Sequence, residues 1–106
     1  VKRAIPVAPG SLEPMFEAYS SLYGVDKTKL QTIANCESHF NPGVQSKNGL
    51  YGGMYQFSSS TWMSTREAMG LDPNPDLRFD AEESIKTAAW KISAGGIRAW
   101  PVCSQR

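Results

Sequence analysis

The sequence has no apolar run near the roughly 20 residues a helix needs to cross a bilayer, so membrane insertion is not expected. It also has no run of lysines or arginines. With 11 basic and 10 acidic residues the net charge is +1. A nucleic-acid binder presents a strongly basic face, so nucleic acid is not an expected partner. Histidine occurs once, at His39; a histidine-based triad would have to be built around it, and no Gly-x-Ser-x-Gly elbow is present. The cysteines and the histidine lack zinc-ligand spacing. Gly49, Gly52 and Gly53 are not followed by the Gly-Lys-Ser/Thr of a phosphate loop. No metal and no cofactor is implied.

What is present is ordinary for a globular chain: 41% hydrophobic and 20% charged residues. At 106 residues it is too short for two independent cores, and it is expected to act as a monomer. It opens on valine rather than methionine, which reads as a processed or excised piece. Residues 1–10 hold Pro6, Pro9 and Gly10 and read as an extended arm or linker, with the domain over 11–106. Cys36 and Cys103 fit a disulfide or two buried thiols equally well. Joined, they would tie a mid-chain helix to the C-terminal tail and stabilise the fold by about 4 kcal/mol in the chain-entropy model.

The pattern is mainly α, with about four helices and one small β-hairpin or loop region. Ser11 is a candidate N-cap for a first helix to about Tyr23, ended by Gly24, with Met15, Phe16, Tyr19, Leu22 and Tyr23 on one face. Asp26 caps a second helix from Lys27 to about His39, ended by Asn41-Pro42-Gly43. Asn48-Gly49 signals a tight turn, and Tyr51, Tyr55 and Phe57 alternate as in a short strand. Ser58 to Ser60 offer caps for a third helix from about Thr61 to Met69. Residues 71–79 hold Pro73 and Pro75 and read as loop. Asp80 with Glu83 forms a capping box for a fourth helix carrying Ile85, Ala88, Ala89 and Ile92.

One residue breaks the pattern. Leu30, Ile33, Ala34 and Glu37 fall at i, i+3, i+4 and i+7, so a carboxylate continues a core-facing stripe. Desolvation disfavours the charged form and raises a carboxyl's pKa, which suits a general acid acting on a glycosidic oxygen. The other reading is a helix-end glutamate paired with Lys or Arg at the rim of the core. Hydrolytic glycosidases generally use two carboxyls, about 5 Å apart when retaining and about 6.5–9.5 Å when inverting. No acidic residue occurs in the glycine- and aromatic-rich segment where a partner would be expected. A single carboxylate fits a reaction whose nucleophile belongs to the substrate. Tyr51, Tyr55, Trp62, Trp90 and Trp100 could stack on sugar rings, but such rings are more often core, and one or two at most are expected to touch ligand.

The run from Ile33 to Pro42, with Cys36-Glu37-Ser38 and then Asn41-Pro42, resembles the catalytic segment of lytic transglycosylases of the lysozyme superfamily. Tyr51-Gly52-Gly53-Met54-Tyr55-Gln56-Phe57, followed by Thr61-Trp62, is similar to their Gly-x-x-Gln motif. With Ala99-Trp100-Pro101-Val102-Cys103, these features resemble the resuscitation-promoting factors more closely, over about Leu12 to Cys103. The loop is one residue longer than theirs, Gly96-Ile97-Arg98 replaces a Gly-Trp-Gly, and no Ala-Tyr-Asn motif is present. The resemblance implies an α+β lysozyme-like fold, a Cys36–Cys103 disulfide, and Glu37 as catalytic acid/base. It also implies Ser38 in the supporting hydrogen-bond network, Gln56 and Thr61 along a sugar groove, and Tyr51 and Tyr55 as its wall. The implied substrate is the peptidoglycan glycan strand, cut by a secreted or wall-associated enzyme. Lytic transglycosylation is the expected chemistry; a muramidase or a catalytically silent glycan-binding module are the alternatives.

Overall fold

The computed structural model describes residues 9–106; residues 1–8, most of the expected arm, lie outside the described part. Four α-helices and one two-stranded antiparallel sheet follow in the order α1 (Glu13–Tyr23), α2 (Lys27–Ser38), β1 (Tyr51–Gly52), β2 (Phe57–Ser58), α3 (Ser59–Met69) and α4 (Ala81–Ser93). Short 3-10 turns occupy Pro75–Phe79, Ile97–Ala99 and Cys103–Gln105. Among the described residues no helix is long and apolar enough to cross a membrane.

Local chemistry sets most of the boundaries. The Asp26 side chain accepts from the N–H groups of Thr28 and Lys29, and Ser58 Oγ accepts from Thr61 N–H. Both satisfy amides that a helix start leaves without partners. Gly24 and Gly70 close α1 and α3 in the left-handed conformation. In β1–β2, Tyr51 pairs with Ser58 and Gly52 with Phe57.

Several expectations are corrected. Ser11 does not cap α1: Leu12 holds that position without a side-chain bond, and the Pro9 carbonyl accepts from Leu12 and Glu13 N–H instead. Leu22 leaves the expected apolar face and is 65% exposed, while Phe16 is buried and Met15, Tyr19 and Tyr23 pack against the core. α2 ends at a left-handed His39, ahead of the proline. α3 starts two residues before Thr61, at Ser59. Residues 71–79 contain the Pro75–Phe79 turn, opened by Asn74, whose side chain accepts from Asp76 N–H. Proline suits that first helical position, because the amide it lacks would have been unpaired. Asp80 caps α4 by accepting from Glu83 N–H at 2.9 Å, but the reciprocal half of the box is absent. Glu83 is drawn instead to the buried Arg66 guanidinium, 2.8 Å away, since a buried cation needs a counter-charge.

The core joins all the elements through Phe16, Leu30, Ile33, Tyr55, Trp62 and Ile85. Phe57 stands edge-on to both Trp62 and Trp100. The Cys36–Cys103 disulfide, with Cα atoms 5.6 Å apart, fastens the C-terminal tail to α2. Lys29 Nζ adds a bond to the Ser104 carbonyl at 2.7 Å.

The β1–β2 turn is pressed against the Pro75–Phe79 segment. A Cβ on Gly53, whose φ is 86°, would lie 2.0 Å from the Arg78 carbonyl oxygen. Both the contact and the positive φ oppose a side chain. Gly53→Ala is therefore expected to cost about 3 kcal/mol and to lower Tm by more than about 10 °C in thermal unfolding. A variant melting within two or three degrees of the parent, by the same rough scaling, contradicts that packing.

Candidate active site

Glu37 sits one turn past Ile33 and Ala34, in the last turn of α2. Its neighbours on the stripe are fully buried, while Glu37 itself is half-buried, at the point where the core opens to solvent. Burial pushes its carboxyl above the ordinary value of 4.5. Among the described residues no cation or N–H group partners the carboxyl, unlike the salt-bridged rim glutamate that was the alternative. A carboxyl shifted upward and without an ionic partner is the kind of group that can serve as a general acid.

Glu37 faces a cleft of about 250 Å³ that Tyr51, Gln56, Ala99, Trp100 and Pro101 complete. Three segments converge there: the end of α2, the β1–β2 hairpin and the disulfide-tethered tail. Ser38 does not line the cleft but clamps two of them together. Its buried Oγ donates to the Met54 carbonyl at 2.7 Å and accepts from Asn41 N–H at 3.2 Å. This ties the residue after Glu37 to the hairpin turn.

Gln56 reaches the cleft from a left-handed backbone, φ 52°. Its Nε2 donates to the Val44 carbonyl at 3.1 Å and to the Gly53 carbonyl at 2.8 Å. With both amide hydrogens used internally, its Oε1 is left as the acceptor for a ligand. Tyr51 forms an exposed rim of the cleft.

Tyr55 is a correction. Its ring is 0% exposed, and its hydroxyl donates to the Leu30 carbonyl at 2.7 Å. It is a core residue, not a wall of the groove. Gly53 reverses the chain, so Tyr55 lies in the turn and not on a strand. Burial holds its phenol well above its usual range. Thr61, in the first turn of α3, is half-buried and does not line the cleft. Trp62 is enclosed, with Nε1 donating to the Asn74 carbonyl.

The wall formed by Ala99 and Pro101 was missed from sequence, and Trp100 was only a candidate stacking ring. Trp100 closes the base of that wall: Nε1 donates to the Tyr55 carbonyl at 2.8 Å, and the ring stands edge-on to Tyr55. A usable signal existed in the cysteines. Once Cys103 is bonded to Cys36, the residues just before Cys103 must lie beside Glu37.

The order of these parts along the chain matches a known family. The model of the transglycosylase-like domain matches residues 24–103, from the glycine that closes α1 to the second half-cystine. The chain belongs to the transglycosylase-like domain family. Among relatives of this transglycosylase-like chain, resuscitation-promoting factor RpfE of Mycobacterium tuberculosis is 35% identical over 101 residues, covering 95% of this chain and 55% of that protein. Resuscitation-promoting factor RpfB of Mycolicibacterium smegmatis is 39% identical over 74 residues, covering 70% of this chain and 20% of that protein. Resuscitation-promoting factor Rpf of Micrococcus luteus is 38% identical over 74 residues, covering 70% of this chain and 30% of that protein. The chain thus spans about half or less of the length of these relatives.

Proposed function

We propose that this domain cuts the β-1,4 bond between MurNAc and GlcNAc in peptidoglycan by non-hydrolytic transglycosylation. The observation that carries the reading is that, among the described residues, Glu37 is the one carboxylate lining the cleft. Its elevated pKa suits a general acid. Of the nine other acids, six are held elsewhere: Asp26 and Asp80 cap helices, Glu13 and Glu17 pair with Lys27, Glu82 accepts from Tyr19, and Glu83 pairs with Arg66. Glu67, Asp72 and Asp76 are exposed and do not line the cleft.

In the proposed sequence protonated Glu37 donates to the glycosidic oxygen. The bond to C1 of MurNAc breaks, and GlcNAc leaves with a hydroxyl. The Glu37 carboxylate then accepts the proton of the C6 hydroxyl on the same MurNAc as that oxygen bonds to C1. A 1,6-anhydro ring closes and the acid is restored without water. Gln56 Oε1 would accept from a sugar N–H or O–H, and Tyr51 would border a ring. The cleft is small beside the roughly 300–1,000 Å³ of enclosed ligand pockets, which fits an open groove engaging one stretch of a long strand. The disulfide fits an oxidising, extracytoplasmic setting.

A reducing-sugar assay on digested wall tests the chemistry. Glycan should become soluble with no matching rise in reducing ends. A rise in proportion to the solubilised material would mean water is the nucleophile.

A further inference from the structure

The charges around the cleft are distributed in one direction. Segments 41–58 and 94–106, which supply every lining residue except Glu37, contain no aspartate or glutamate. They do contain Lys47, Arg98 and Arg106. Every other described lysine and arginine has a carboxylate, carbonyl or hydroxyl partner. Lys47, Arg98 and Arg106 have no side-chain partner among the described residues.

Two of these three lie in turns next to lining residues, one in each segment. Lys47 tips the turn that carries Tyr51, closed by Ser46 N–H to the Tyr51 carbonyl at 2.9 Å and Tyr51 N–H to Ser46 Oγ at 3.0 Å. Arg98 lies in the Ile97–Ala99 turn, directly before the lining residues Ala99, Trp100 and Pro101. Both are exposed. When Glu37 is protonated, no lining side chain carries a charge, and the charged residues of the two cleft-forming segments are all positive. Such a cleft concentrates anions.

We propose that Lys47 and Arg98 select glycan bearing a carboxylate on the lactyl arm at C3 of the muramyl residue. This inference rests on the glycan-cleaving reading above. Two sources share that chemistry: the lactyl carboxylate itself where no peptide is attached, and the carboxylates of an attached stem peptide. The arm projects from the sugar beside the scissile bond, so a cation in either segment can meet it while Glu37 meets the bridging oxygen.

The test is equilibrium binding of the full chain carrying Glu37→Gln, which slows turnover, to insoluble glycan at low ionic strength. Four forms are compared: peptidoglycan, peptidoglycan with its carboxylates amidated, peptide-stripped glycan, and stripped glycan amidated likewise. Anionic forms should bind about tenfold more tightly than amidated ones, and Arg98→Gln and Lys47→Gln should each remove about threefold of that preference. The preference should shrink in high salt, where the Debye length falls to about 3 Å at 1 M. Lys86→Gln, which removes the same charge from α4, should keep it. A preference within the stripped pair assigns the lactyl carboxylate; one confined to the peptide-bearing pair assigns the stem peptide.

Equal binding of charged and amidated glycan overturns the inference, as does a preference that survives both cleft substitutions. Charge-selective binding alongside a wild type that releases no soluble glycan would overturn the cleavage reading and leave this one standing. No binding to any form overturns both.

Discussion

Glu37→Gln is expected to lower glycan cleavage by about 10³-fold, within the 10²–10⁴-fold usual for a positioned acid or base, with the fold retained. Glutamine keeps the shape and has no proton to give at accessible pH. The loss should fall on kcat, since in the proposed reaction the same group acts in both proton transfers and no other lining residue can replace it. A variant cutting glycan within tenfold of the parent, less than the smallest usual effect of such a group, means the acid lies elsewhere.

The pH dependence follows from the same residue. Burial raises its folded-state pKa above the ordinary 4.5, so cleavage should decline as pH rises through that raised value and the donor loses its proton. Stability runs the same way. Below the unfolded-state pKa the carboxyl is neutral folded and unfolded, and its burial costs nothing extra. As pH climbs through the folded-state pKa, the native state must hold a partly desolvated charge and loses stability. Glu37→Gln should therefore melt above the parent near neutral pH, with the gap closing below about pH 4.5, the ordinary carboxyl value. Melting curves of the two proteins across pH check the sign, and a gap that widens in acid contradicts it.

The second large effect belongs to Cys103→Ser. The bridge spans 67 residues, and its loss is expected to cost about 4 kcal/mol in the chain-entropy model. That is a large part of the roughly 5–15 kcal/mol that holds a domain together. Activity should fall even where the variant stays folded. The tail it frees carries Ala99, Trp100 and Pro101, one wall of the cleft; its other ties include the Lys29 bond, the Trp100 Nε1 bond and the packing of the Trp100 ring on Tyr55 and Phe57. Chemical denaturation with and without reductant measures the first effect, and glycan release by the reduced protein at low temperature the second. Full activity in a reduced, folded protein would show that the wall holds itself.

The helices were legible because their signals are local. Asp26, Ser58 and Asp80 each accept from an amide two or three residues on, and a sequence displays that spacing directly. Glu37 was legible for a related reason, as a carboxylate at the i+7 place of an apolar stripe. What was hidden depended on contacts distant in sequence. Tyr55 obeys strand alternation with Tyr51 and Phe57, yet the turn at Gly53 sends it inward to Leu30, 25 positions away. Glu83 has the right spacing for a capping box, but Arg66 outbids the amide for its carboxylate. The tail wall depends wholly on which side chain Cys103 meets.

Everything in this reading turns on a lone acid whose substrate supplies the nucleophile. Mass spectrometry of the fragments released from purified peptidoglycan addresses that most directly. The new muramyl ends should be one water lighter than hydrolysed ends, as 1,6-anhydro rings are. Ends carrying the full mass of a hydrolysed sugar would contradict the account and require a water-activating base that the cleft does not contain.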